Sequence, residues 1–571
     1  MAESSEGALL SAADLEQIRR RGIPVEEVER QLALLRDPPP PVVLEAAATP
    51  GDGIERLDPA EHGALLELWA DAAARGRLRK LVPASGAASR MFASLSRALE
   101  SDAGLRLASV RARAAAGDAT AGDVLKLAER LRDLPFRDAL AEALRRQRGD
   151  GHRHPGEGAQ PAAGETAGAD ARGDDPLGAI EARDPDADLR PLLAALLEPE
   201  GLGYVGMPKG LIPFHRRGER AVTPVEEHLD EAVLLVRDAQ GVSRVHFTVA
   251  EGAEDGFRRA AKRWRSAKGA PEGASEGAAK GAAEGAAEGS LELELSTQSP
   301  ATDTVALDAE GRPFRTPEGE LLFRPGGHGA LLRNLEELGG DLVLVKNIDN
   351  VQPAERRGPS ILWQRLLAGL LVRLQREAGA LLDRLDDASD ADACDDARAF
   401  LARWLERAGP ATPQGWCDAR ARRELAARLD RPLRVAGMVA VSGEPGGGPF
   451  WARGRDGEAT KQIVETAEIA KSPEQQAILA SSTHFNPVLM ALGVRDHGGR
   501  PYPLRDFVDP TRPFVTERTA GATKLLALEH PGLWNGSMAG WNTVFVDIPK
   551  AAFTPVKTVL DLLRDEHRSG P

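Results

Sequence analysis

Hydrophobic positions recur at helical spacing over residues 8–36, where Leu15, Ile18, Val25, Val28, Leu32 and Leu35 share one face until Pro38-Pro39-Pro40-Pro41 stops the run. The pattern predicts a second helix over 59–76. A short strand at 80–83 then leads into Ala84-Ser85-Gly86-Ala87-Ala88-Ser89-Arg90-Met91, with a helix from 91. Strand-like runs follow at 244–250 (RVHFTVA), 291–296 (LELELS) and 341–348 (DLVLVKNI), separated by helical stretches at 223–236 and 256–265. Strands alternating with helices in this way predict an α/β fold with a mixed, mainly parallel sheet flanked by helices. Residues 360–429 read as helical. The last portion carries strands near 433–441, 462–467 and 543–548, set among Gly- and Pro-rich loops.

Two stretches interrupt this order. Residues 149–188 (opening GDGHRHPGEGAQPAAG) and 267–290 (AKGAPEGASEGAAKGAAEGAAEGS) lack the apolar residues needed to offset chain entropy, and both read as flexible insertions. The length of 571 residues implies two to four domains. We expect an N-terminal helical region (1–78), a core (79–355) interrupted by 98–200 and 267–290, a helical segment (356–430) and a C-terminal α+β part (431–571).

Charge and motifs narrow the chemistry. With 73 Lys and Arg against 87 Asp and Glu, the net charge is −14, which disfavours general nucleic-acid binding because phosphates demand a basic face. No apolar run suits a membrane span and no secretory leader is visible, so a soluble, cytoplasmic protein is expected. Two cysteines cannot build a disulfide framework or a four-cysteine zinc site. There is no GxxxxGK[ST] or HExxH, and no GxSxG at a strand-to-helix turn, the string Gly273-Ala274-Ser275-Glu276-Gly277 falling inside the Gly/Ala-rich stretch. The acidic run 386–392 lacks the glycine and final glutamate of a calcium loop and reads as a solvated inter-helix segment.

Four loops carry the positive signal. In 83–91, small residues free backbone amides for an anion ahead of a helix, and Arg90 adds a charged fork. Gly206-Met207-Pro208-Lys209-Gly210 fixes a lysine between proline and glycine. Thr297-Gln298-Ser299-Pro300, followed by Arg324-Pro325-Gly326-Gly327-His328-Gly329, offers close backbone approach to a flat ligand; turn chemistry explains glycines too, yet His328 inside the turn favours function. Lys346-Asn347-Ile348-Asp349-Asn350 places a carboxylate at the carboxyl end of a buried strand, where ligands bind in open α/β sheets, and Lys346, Asn347, Asp349 and Asn350 together read as a dense polar group.

This ordered set resembles the UDP-sugar pyrophosphorylase branch of the nucleotidyltransferase fold, with its Gly-rich loop, Pro-Lys-Gly, Gln, Pro-x-Gly-x-Gly-Gly and Val-Asp-Asn in that order. Gln462-Ile463-Val464-Glu465 is similar to that family's sugar-side strand. Over most of its length the chain also resembles a bacterial family, domain-of-unknown-function family 4301, through SGAASRMF, PKGL, RPGGHGAL, KNIDNV and GEPGGGPFW. The first resemblance implies a Rossmann-type core and transfer of a nucleotidyl group from a nucleoside triphosphate to a sugar 1-phosphate-like acceptor. It further implies that Ser85, Gly86, Ala87, Ala88, Ser89 and Arg90 hold phosphates, that Lys209 meets the α-phosphate, and that Gln298, Gly326, Gly327 and Gly329 face the base. Asp349 would hold magnesium, with Asp547, ending the run Val544-Phe545-Val546, as a second ligand. Asn350, Trp451, Glu465 and Asn486 would line the acceptor side. Ala88, Ser89 and Thr466 stand where the pyrophosphorylases have glycine, threonine and tyrosine. A binding protein without catalysis is the alternative, and a structural role for the glycine loops a third reading.

Overall fold

The computed structural model describes residues 10–101, 104–147, 177–178, 184–269, 290–407, 417–441, 447–454, 457–520 and 523–568. Most of both low-complexity stretches therefore lies outside the described residues.

The centre is a twisted sheet whose strands run, side by side, Thr49–Pro50, Gly53–Glu55, Asn542–Asp547, Leu433–Ala440, Leu489–Gly493, Leu342–Lys346, Leu78–Pro83, Ser243–Val249 and Leu291–Thr297. All neighbours are parallel except Leu489–Gly493, which opposes both of its partners. Parallel strands covered on both faces read as continuous apolar runs, which is why Leu342–Lys346 and Leu433–Ala440 are buried almost throughout. The predicted strands at 80–83, 244–250, 291–296, 341–348, 433–441 and 543–548 all lie in this sheet. Leu489–Gly493 was not predicted, because a five-residue apolar run carries no periodicity that separates strand from helix.

The N-terminal region is not purely helical. After helices Ala12–Arg20 and Val25–Arg36, residues 44–55 form strands, two of which extend the central sheet. Strands from 431–571 interleave with those of the core in one sheet, so the C-terminal part shares its framework. The acidic run 386–392 connects helices Gly358–Asp386 and Ala393–Trp404, and Cys394 is bridged to Cys417, just ahead of helix Ala419–Leu429. Among the described residues no helix is long and apolar enough to cross a membrane.

Helix Pro224–Leu235 packs beneath the carboxyl ends of the central strands. Thr223 caps it, Pro224 occupies the first position where its missing N–H costs nothing, and Glu226 completes a capping box. Glu231 on this helix, fully buried, holds the Lys80 and Lys346 ammoniums at 2.6 Å each. Lys80 and Lys346 stand on adjacent parallel strands and share the face of Leu78, Leu342 and Leu344, as the two-residue period requires. The sequence grouped Lys346 with Asn347 and Asp349 as one polar cluster; the pleat instead turns Lys346 into the core, where it also donates to Ser360 Oγ at 2.8 Å. Burial pushes the Lys80 ammonium down to about 8, against the opposing pull of Glu231.

Glu231→Gln should leave two buried ammoniums without a counter-charge, a change that typically costs about 3–5 kcal/mol. Urea denaturation of wild type and variant measures it; a loss below about 1 kcal/mol would show that the lysines are held by other partners.

Candidate functional site

The parallel strands all end at one edge of the sheet, and four segments distant in sequence meet there. Leu78–Pro83 exits into 84–90, where Ala84 N still donates to Thr248 O at 2.8 Å. Ala88 N donates to Met207 O (3.0 Å) and Lys209 N to Gly86 O (3.2 Å), which zips this loop to 206–211. Between those bonds Gly86 and Ala87 are exposed and Ser85 half-buried; among the described residues their amides donate to no protein acceptor. A Cβ at Gly86 would meet nothing within 4 Å. Ala88 is buried with Met91 and Phe92 in the core of the helical insertion, which includes Ala93–Glu100, Ala119–Ala128 and Arg190–Leu197. The methyl at the departure from glycine therefore points away from the loop's open face. Ser89 and Arg90 are exposed beside it.

Asp349 follows Leu342–Lys346 and is buried. Its Oδ2 accepts from Lys209 Nζ at 2.9 Å and from Lys557 Nζ at 3.0 Å, while its Oδ1, also buried, has no hydrogen-bond partner among the described residues. Burial pushes the Asp349 carboxyl up, but the two lysines outweigh it and hold the group below the usual carboxylate range. Burial likewise pulls Lys209 below an ordinary lysine, opposed by Asp349 and reinforced by Lys557 and Arg90. Two lysines thus converge on one carboxylate, with Arg90 near enough to act on Lys209, a local excess of positive charge in an acidic protein.

Lys557 has no counterpart in the sequence reading. It lies in a C-terminal segment fastened across the site: Thr554 N donates to Asn350 Oδ1 (3.1 Å), Val556 N to Asp349 O (3.0 Å) and Val559 N to Met91 O (3.1 Å). A single lysine in Thr554-Pro555-Val556-Lys557-Thr558 has no glycine or periodic signal to mark it. Asn350, expected on the acceptor side, instead clasps this segment, and its Nδ2 is buried without a partner among the described residues.

A second cluster forms around Gly326–Gly329. Gly327 has φ +74°, a left-handed conformation that favours glycine. A Cβ on Gly326 would strike Thr302 O, and one on Gly329 would strike Pro531 O. Protein backbone, in the 529–531 segment and at Thr302, takes the close approach that the sequence reserved for a ligand. His328 stacks on Trp534 at 4.4 Å, accepts from Leu533 N at Nδ1 (3.1 Å) and sets Nε2 3.7 Å from Glu465. The neighbouring His328 ring, against burial, holds the Glu465 carboxyl below its usual pKa. Gln298 follows the edge strand Leu291–Thr297, and its Nε2 is buried and unpartnered among the described residues.

The remaining expected residues lie apart. Gln298 and Asp547 end strands three places to either side of the Asp349 strand, roughly 14 Å away at ordinary strand spacing. Asp547 pairs with Arg56 (3.2 Å) and His484 (3.4 Å). Trp451 is an interior residue: it is 2% exposed, its indole donates to Asp52 at 2.9 Å, and it is not brought to the Asp349 cluster. Asn486 accepts from Val488 N at 2.9 Å and so shapes the turn in which Val488 takes φ 57°. Among the described residues no group of three or more His, Cys, Asp or Glu converges as a metal centre. A hard cation nonetheless fits the spare Asp349 oxygen, because magnesium is commonly held by one carboxylate with phosphates and water completing its shell. Asp547, distant and already paired, does not fit as its second ligand.

The sequence places this framework in a known group. The chain belongs to the family described as Domain of unknown function (DUF4301), which matches residues 11–155 and 177–568. No curated protein matches it. Among solved structures it is similar to the uridine diphosphate N-acetylglucosamine pyrophosphorylase of Trypanosoma brucei, at 11% identity over 97% of this chain and 79% of that one, with a TM-score of 0.44. It is also similar to a UDP-glucose pyrophosphorylase mutant of Leishmania major, at 12% identity over 98% and 80%, with a TM-score of 0.40. Likeness this remote carries no chemistry across, and the function has to be argued from the residues.

The two kinds of glycine separate experimentally. Gly329→Ala should cost about 1–3 kcal/mol through overpacking against Pro531, while Gly86→Ala, facing open space, should stay within about 0.5 kcal/mol of wild type. Denaturant midpoints of both variants check this, and equal costs would mean that the 326–329 packing is misjudged.

Proposed function

We propose that the chain is a magnesium-dependent nucleotidyltransferase acting on a nucleoside triphosphate and a sugar 1-phosphate-like acceptor. The observation that supports it best is the Lys209–Asp349–Lys557 cluster beside an exposed loop of unpaired amides, at the carboxyl edge of a parallel sheet. The ordered motifs quoted from the sequence support the same reading.

In this reading the acceptor phosphate oxygen attacks the α-phosphorus in line, the bond to the β-phosphate oxygen breaks, and pyrophosphate leaves. Such a transfer needs positioning and charge compensation more than a protein nucleophile. The amides of Ser85, Gly86 and Ala87, with Ser89 and Arg90 at the helix entrance, bind the β- and γ-phosphates. Lys209 and Lys557 meet the α-phosphate, each releasing part of its hold on Asp349 as the phosphate supplies new acceptors. Asp349 Oδ1 would hold a magnesium ion, which would neutralise charge on the phosphates. Gln298 Nε2, buried and unpartnered, faces the base, and Glu465, oriented by His328, lies on the acceptor side. Ala88 does not obstruct phosphate binding, because its methyl lies in the insertion core.

Arg90→Ala removes an exposed charged fork and should weaken triphosphate binding by roughly 1.5–3 kcal/mol, with little change in stability; calorimetry and a melting curve read the two separately. Asp349→Asn is nearly isosteric and should lower magnesium-dependent pyrophosphate exchange by about 10²-fold or more, while magnesium-free nucleotide binding survives. Equal exchange rates in wild type and variant would remove Asp349 from the metal role. Nucleotide binding without any exchange in the wild type, over a broad acceptor panel, would favour a binding protein.

A further inference from the structure

We infer that Asn334 is a positioning residue: its side-chain amide grips the peptide that joins Thr297 to Gln298 and so sets the direction in which Gln298 leaves the sheet. The inference rests on the proposed function only for what Gln298 then contacts. Leu291–Thr297 is the last strand of the sheet, paired among the described residues with the strand Ser243–Val249 alone, and Gln298 is the first residue beyond it. The end of an edge strand has no neighbour on its far side to fix its last peptide. Asn334 supplies that hold, with Nδ2 3.0 Å from Thr297 O and 2.8 Å from Ser296 Oγ. Its helix, Leu331–Glu337, is itself fixed. Leu331 and Leu335 share an apolar cluster with Leu81, Val343 and Val345 of the sheet, and Asn334 is 4% exposed. The helix follows the Gly326–Gly329 turn directly, so the element that sets His328 near Glu465 also holds the end of the edge strand.

The hydrogens run in one direction. Thr297 O can only accept, so the Asn334 atom facing it is the amide nitrogen, whose two hydrogens serve Thr297 O and Ser296 Oγ. Asn334 Oδ1 has no partner among the described residues, and the side chain acts here as a donor. Ser296 Oγ, already taking one hydrogen, has its own for His246 Nε2 at 2.6 Å. His246 then carries its hydrogen on Nδ1, which lies 3.3 Å from Glu294 Oε2, and Arg79 Nη1 donates to Glu294 Oε1 at 3.1 Å. Each contact has one donor and one acceptor. The set crosses three neighbouring strands, Leu78–Pro83, Ser243–Val249 and Leu291–Thr297, and ties them to the helix that lies over them. Gln298 Nε2, buried and without a partner among the described residues, is the group whose place this buckle sets.

Two measurements on the full chain test this. Hydrogen exchange at Thr302 and Asp303, whose amides bond Ser299 O and Pro300 O just after Gln298, needs no ligand. Asn334→Leu keeps the bulk with no hydrogen to give, and should speed exchange at both amides by about tenfold, as loss of one hydrogen bond does. Ser296→Ala leaves the bond to Thr297 O in place and should stay within about twofold of wild type. Calorimetry then compares ATP, CTP, GTP and UTP with inorganic tripolyphosphate, which offers phosphates without a base. Asn334→Leu should weaken the best-bound nucleotide by about tenfold and leave tripolyphosphate within about twofold, because the 84–90 loop is untouched. A change that only loosened the fold would weaken both. Wild-type exchange rates in Asn334→Leu, equal rates in the Leu and Ala variants, or equal weakening of nucleotide and tripolyphosphate would overturn the inference. If Asn334→Leu does not fold, Asn334→Ser, whose hydroxyl ends one bond short of the amide nitrogen, carries the same expectations. Absence of nucleotide binding in the wild type would count against the proposed function, and the exchange rates would still decide whether Asn334 holds the strand end.

Discussion

Glu231 sits between two lysines that the sheet itself brings together. Lys80 and Lys346 come from neighbouring parallel strands, and without a shared counter-charge two ammoniums in one apolar layer could not be buried. The strands so joined are the two whose carboxyl ends carry the 84–90 loop and Asp349. A charge cluster on the core face thereby sets the separation of groups on the site edge. The same helix supplies Glu227, 3.1 Å from His215 Nδ1, and His228, whose Nε2 meets Asn347 O at 3.2 Å. One buried acidic helix supports the loop before Asp349 and the strand beneath it.

Site assembly then follows from strand direction. Because the strands beside Asp349 in one direction run parallel, their loops open on one side, and residues more than a hundred positions apart become neighbours. The described residues between Met91 and Met207 do not separate the flanking loops in space: they form an apolar cluster shared with Val559 and Leu562 of the C-terminal segment. That packing fixes Ala88 at one end and Lys557 at the other, so the insertion contributes to the site without lining it.

Electrostatically the site inverts the character of the chain. A net charge of −14 overall surrounds a point where Lys209 and Lys557 face one carboxylate and Arg90 acts on Lys209. Partial burial strengthens both lysine interactions, so a polyanionic ligand would meet focused positive charge there. The Gly326–Gly329 turn has a different logic, since its glycines admit neighbouring backbone and hold His328 against Trp534 and near Glu465.

Period-two and period-3.6 patterns, turn glycines and prolines were enough to read most of the central strands, the long helices and the loops containing Arg90, Lys209 and Asp349, because those features arise from contacts local in sequence. The same local information misassigned Lys346 and left Trp451 as a candidate contact, since which face of a strand is covered depends on what packs there. Leu489–Gly493 was too short to declare its type, and its antiparallel direction is settled only by the two strands it lies between. Lys557 carries no local mark at all. Its place exists because a C-terminal segment, held by Asn350 and Met91, is laid across a carboxylate some two hundred residues earlier, and only long-range packing can decide that.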